Sequence, residues 1–117
     1  MKHIHISFIL ILIFSSCTYN KEEELYGLDC DTSNVRYSVE IKNILDASCL
    51  SCHAGSAVAG AGIKLDSYQE VKKYVDQDLL LESITEENNY MPKGGPRLSS
   101  CKIDQIRSWI NKGAPNN

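Results

Sequence analysis

The chain has 117 residues, 43% of them hydrophobic, with 12 Lys and Arg against 15 Asp and Glu and a formal net charge of −3 at pH 7. That length accommodates one small domain, and a mildly acidic chain with no basic stripe lacks the electrostatic footprint that nucleic-acid binding needs. Five cysteines in so short a sequence point to an oxidising compartment or to covalent chemistry.

Residues 1–16 read as an export leader. Lys2 precedes the apolar run Phe8-Ile9-Leu10-Ile11-Leu12-Ile13-Phe14, followed by Ser15-Ser16-Cys17. A spanning helix takes about 20 apolar residues, so this shorter run fits the h-region of a signal peptide instead. Its ending resembles a bacterial lipoprotein signal, in which an apolar residue and two small ones precede a cysteine that is lipidated and becomes the new N-terminus. The resemblance implies Cys17 as the lipidated residue, and the alternative is an uncleaved anchor with Cys17 an ordinary thiol. Each buried methylene of an acyl chain adds roughly 0.8 kcal/mol of membrane affinity. Either reading puts the domain outside the cytoplasm at a membrane surface. Residues 17–29 carry Lys21-Glu22-Glu23-Glu24 and little apolar material, so they read as a solvated tether. The Lys-Glu-Glu also resembles a surface-export signal of outer-membrane lipoproteins, and a merely polar tether accounts for it equally well.

The folded domain is expected over 30–117. Ser38 is placed to cap a helix from about Val39 to Ala47, with Val39, Ile41, Ile44 and Leu45 on one face. That helix leads into Cys49-Leu50-Ser51-Cys52-His53, a C-x-x-C-H pentad. Each cysteine of such a pentad can add across one vinyl group of haem, and the histidine that follows supplies an axial imidazole to the iron, so the motif reads as a c-type haem attachment. A zinc knuckle would require a second ligand cluster, and the sequence has no second C-x-x-C or H-x-x-x-H. A thioredoxin-like pair would sit at a helix start after a strand, whereas a helix ends here.

Residues 54–62 form a small-residue loop without the Gly-Lys-Ser/Thr ending of a phosphate-binding loop. It suits either close backbone approach to a haem or a plain flexible connection. Ser67 with Glu70 makes a capping box for a second helix, about Tyr68 to Val75. A short apolar helix follows from Leu79 to Ile84, expected to pack on the haem. The loop from Thr85 to Ser99 holds Met91-Pro92. Once a leader carrying Met1, His3 and His5 is removed, Met91 is the single methionine and His53 the single histidine, which makes Met91 the one thioether candidate for a sixth ligand; the alternative is ordinary core filler. The last helix runs from Ser99 or Ser100 to about Asn111, with Ile103, Ile106 and Ile110 on one stripe, Trp109 beside it, Gly113 at C′ and Pro115 beyond. With Cys17 given to lipid and Cys49 and Cys52 to haem, Cys30 and Cys101 remain as a disulfide pair in an oxidising compartment, or as two separate buried thiols.

The order helix, C-x-x-C-H, Gly-rich loop, Met-Pro and a C-terminal helix ending Trp109-Ile110-Asn111-Lys112-Gly113-Ala114-Pro115 resembles the small single-haem cytochrome c domains of exported bacterial proteins. Met91-Pro92-Lys93-Gly94-Gly95-Pro96 and Leu98-Ser99-Ser100-Cys101 look most like the subgroup on lipoproteins of the Bacteroidetes type. The resemblance implies an all-α, cytochrome c-like domain wrapped around one covalent haem c, with Cys49 and Cys52 as thioether attachments, His53 proximal and Met91 distal. It implies an electron carrier without catalytic residues, exchanging electrons with redox protein donors and acceptors while a lipid anchor holds it to the membrane. Two rivals stand beside it: a five-coordinate haem that binds gas or reduces peroxide, and a haem-free, zinc-binding lipoprotein.

Overall fold

The computed structural model describes residues 30–117, and the first of these, Cys30, lies at a covalent junction. Cys30 is disulfide-bonded to Cys101 at the start of the last helix, with Cα atoms 5.6 Å apart and a sequence separation of 71. The leader (1–16), Cys17 and the rest of the tether (17–29) lie outside the described residues.

A π-helical turn, Tyr37–Ile41, runs directly into α1, Lys42–Ser48. Ser38 is not its cap. The turn starts earlier, after an extended Arg36, and its first N–H groups are served from elsewhere. Arg36 N–H donates to Glu40 Oε2 at 2.7 Å, Tyr37 N–H to Asn117 Oδ1 at 2.8 Å, and Ser38 N–H to Asn117 O at 2.8 Å. A helix start must satisfy its orphan donors, and here a residue from the other end of the chain does so.

Cys49 continues the helical path through its N–H to Leu45 O at 2.8 Å, and the single turn α2, Leu50–His53, follows. After the small-residue loop, α3 spans Tyr68–Val75, with Ser67 Oγ accepting from Glu70 N–H at 3.3 Å. α4, Leu79–Thr85, extends one residue past the expected Ile84, and Thr85 Oγ1 donates back to Leu81 O at 2.8 Å. α5, Ser100–Asn111, is capped by Ser99 Oγ accepting from Lys102 N–H at 3.4 Å. It ends in a Schellman arrangement: Gly113 at φ +86 donates to Ile110 O at 2.8 Å and Ala114 to Trp109 O at 3.0 Å.

The all-α expectation holds, with no strand among the described residues. α4 packs against both α3 and α5, and α5 also packs on the π-helical turn. The core at this junction joins Ile41, Ile44 and Leu45 to Val71, Ile106 and Trp109, each such burial being worth about 1.5–3 kcal/mol. Trp109 is fully buried, donates Nε1–H to Pro115 O at 2.9 Å, and stacks obliquely on Tyr37 at 5.7 Å. Tyr68 donates its hydroxyl to Ala114 O at 2.8 Å, so the segment after α5 is held by α3 and the first turn together. α4 buries Leu80 and Ile84 but leaves Leu79 42% exposed. No described helix is long and apolar enough to cross a membrane.

Candidate functional site

Cys49 of the pentad sits at the break between α1 and α2, and the other four residues form α2. Cys52 N–H and His53 N–H both donate to Cys49 O, at 3.1 and 3.0 Å, which places the two sulfurs and the imidazole on one tight turn. Cys49 and Cys52 are free thiols, the first half-buried and the second exposed. Burial pushes the Cys49 thiol up from 9.0 to about 11, against a smaller opposing effect of the Lys102 ammonium. A dithiol oxidoreductase needs the reverse, a thiol lowered so that it ionises and attacks. Zinc needs several ligands gathered at one point, and among the described residues no group of three or more His, Cys, Asp or Glu side chains is so gathered.

His53 is half-buried and held at its Nδ1 edge. Its Nδ1 lies 2.9 Å from Ile63 O, and an N–H donated there leaves Nε2 as the ring's lone-pair donor. The loop backbone crowds the same edge of the ring: a Cβ added at Gly60 would lie 2.4 Å from His53 Nδ1 and 2.7 Å from Cys52 O. Leu65 N–H donates to His53 O at 2.8 Å and Gly55 N–H to Asp66 Oδ2 at 3.0 Å, which closes residues 54–66 into a collar around the histidine. The small-residue stretch thus brings its backbone against the His53 imidazole at Gly60. Sequence alone does not single out Gly60 or Ile63 O, because three glycines share that stretch and a carbonyl partner carries no side-chain signal.

Met91 lies in the loop between α4 and α5, half-buried against the same core cluster that Cys49 packs on. Its N–H donates to Ser83 O at 2.8 Å, and the Met91–Pro92 peptide is cis. The structure thus brings Cys49, Cys52 and His53 together on one turn and sets Met91 on a separate loop edging the shared core.

No family profile matches the chain, and no solved structure matches it. Among curated proteins, cytochrome c6 of Bryopsis maxima is 30% identical to it over 74 residues, a stretch that takes in 60% of this chain and 84% of that protein. The chain belongs to the small c-type cytochromes. Membership implies covalent haem c and an electron-carrying role, and the residues present suit such a group. A c-type cytochrome needs two accessible sulfurs a helical turn apart and an imidazole with a free nitrogen aimed outward. The pentad turn supplies the sulfurs, and the Ile63 carbonyl, engaging Nδ1, leaves Nε2 as the free nitrogen. Half-buried Leu50, Ile63, Tyr74, Leu81, Met91 and Ile103 edge the core of this cytochrome with apolar surface of the kind a porphyrin face would cover.

Proposed function

We propose that this cytochrome carries single electrons between extracytoplasmic redox proteins, holding one haem through thioethers at Cys49 and Cys52, with His53 as proximal and Met91 as distal axial ligand. The supporting observation is the His53 imidazole, fixed by Ile63 O at 2.9 Å directly after the two free thiols. Bound there, haem c would supply an iron that passes between ferrous and ferric states. The chain's residues do the rest. Ile63 O accepts the Nδ1 proton, which selects the tautomer, raises the basicity of Nε2 and orients the ring. The Gly60 backbone stops the imidazole from swinging back. Met91 offers a neutral thioether, which favours the ferrous state more than a second imidazole does. His53 has no proton to give to a substrate while it is so engaged, which accords with a carrier rather than an enzyme.

The proposal extends to the whole chain: a leader over 1–16, lipid on Cys17, a polar tether to residue 29, and the haem domain over 30–117. On this reading the protein is a Bacteroidetes-type lipoprotein, on the periplasmic face of a membrane or on the outer-membrane surface. Its partners are redox protein donors and acceptors, with no nucleic acid among them. The test is the mass of the exported polypeptide together with haem staining after denaturation. A porphyrin's added mass and a stained band are expected, and a mass accounted for by amino acids and lipid alone removes the proposal. Ferric absorption then separates six-coordinate sulfur ligation from a high-spin, five-coordinate iron that binds CO rapidly.

A further inference from the structure

The loop that carries Met91 has little packing of its own. Between Glu86 and Arg97 only Tyr90, Met91, Pro92 and Gly95 are even half-buried. Its most connected side chain is Arg97. The Arg97 guanidinium lies 4.4 Å from the centroid of the Tyr90 ring, close enough for cation–π attraction. Nη2 of the same group donates to Glu86 O and, at 3.5 Å, to Thr85 O. Those carbonyls sit where α4 ends and intrahelical donors run out. Among the described residues the four ion pairs leave Arg97 out, so its charge is committed to the loop rather than to a carboxylate. One planar cation therefore joins the end of α4, the residue immediately before Met91, and the return of the chain toward α5.

We propose that Arg97 is a positioning residue for Met91: by stacking on Tyr90 and tying it to the end of α4, it holds the thioether where an axial ligand must be. This rests on Met91 being the distal ligand. Met91 N–H is already bonded to Ser83 O in α4 at 2.8 Å, which fixes its backbone on one side only. The Tyr90–Arg97 stack fixes the neighbouring residue on the other, and so limits how often the sulfur swings away.

The test uses haem-loaded protein and imidazole as the competing ligand. Imidazole binds only when the sulfur is off, so its apparent affinity reads that population directly. Arg97→Ala is expected to bind imidazole about tenfold more tightly and to weaken the sulfur-to-iron absorption band, while far-UV unfolding shifts by a smaller equivalent. Tyr90→Phe, which keeps the ring, should match wild type. Tyr90→Leu should reproduce Arg97→Ala, and the double variant should be no worse than the stronger single change, because both remove one contact. Unchanged imidazole affinity in Arg97→Ala overturns the clamp. So does a gain matched by an equal loss of global stability, which would make Arg97 a general fold contact. A wild-type protein with no sulfur band, in which Met91→Leu changes nothing, means that the ligand reading itself has failed and the clamp with it. A wild-type band together with an imidazole affinity that Arg97→Ala leaves unchanged means that the clamp alone has failed.

Discussion

The two sides of the candidate site are built by opposite means. On the His53 side, 54–66 is knitted by short backbone bonds: Ala57 to Ala54 O at 2.9 Å, Gly60 to Ala57 O at 3.0 Å, Gly62 to Ala57 O at 2.8 Å and Ile63 to Gly60 O at 3.0 Å. On the Met91 side, the loop after α4 has a 3.4 Å bond of its own from Gly95 to Pro92 O and a single backbone bond back to α4, Met91 N–H to Ser83 O at 2.8 Å, and for the rest relies on side chains at its rim. A collar made of main chain holds its ligand with little dependence on side-chain identity except where space runs out. A loop held by side chains can be loosened one residue at a time. Low local density of this kind marks the segments that open most readily, so the thioether side is where ligand exchange should occur.

The strongest way to break this contrast is to remove each proposed ligand. His53→Ala should abolish stable haem ligation, read as loss of the haemochrome spectrum, whereas Met91→Leu should keep the covalent haem stain and gain CO binding. Similar behaviour of the two variants would erase the asymmetry. Next in size is the staple outside both regions. Serine at Cys30 and Cys101 should lower denaturant stability by about 4 kcal/mol on the chain-entropy argument, leaving the ferric spectrum of the folded protein unchanged.

The glycines sharpen the comparison further. Gly60→Ala drives a methyl to 2.4 Å from the His53 ring, and overpacking of this sort costs about 1–3 kcal/mol with a shifted haem spectrum. A methyl at Gly94, where φ is +70, would meet nothing within 4 Å, so Gly94→Ala should cost only the left-handed backbone penalty of about 1–2 kcal/mol and leave the spectrum alone. Paired chemical unfolding and absorption spectra decide between steric and conformational need.

The smallest effect concerns the start of the helix that delivers the pentad. The Arg36 N–H bond holds the Glu40 carboxyl below its usual 4.5. A depressed carboxyl stabilises above its unfolded value and loses that contribution as pH falls through the folded one. Glu40→Gln should therefore show a flatter decline of the thermal midpoint in acid than wild type does, with little difference at neutral pH. Parallel curves across the acid range would show that Glu40 has no part in the helix start.

Signals carried by neighbouring residues are legible in the sequence itself. Ser67 and Ser99 mark two helix starts because a hydroxyl reaches an N–H only three residues away, and Gly113 with Pro115 marks the last stop for the same local reason. The pentad is legible because a C-x-x-C-H spacing sets two sulfurs and an imidazole on a single turn, as c-type haem attachment requires. What sequence leaves hidden is long-range or spoken by the main chain. Asn117 serves the first turn from 80 residues away, so Ser38 looks like the nearest available cap. The Ile63 carbonyl on His53 and the stacking of Arg97 on Tyr90 depend on how loops fold back, which no periodicity records.

The single tryptophan has a practical consequence. Trp109 lies fully enclosed where the first turn, α3 and the tail converge, its indole proton given to Pro115 O at 2.9 Å. Its fluorescence is thus a built-in optical gauge of that junction, free of competing indoles. Emission moving to longer wavelength would signal water entering the seam, while quenching by a nearby porphyrin would report how closely cofactor and seam are coupled.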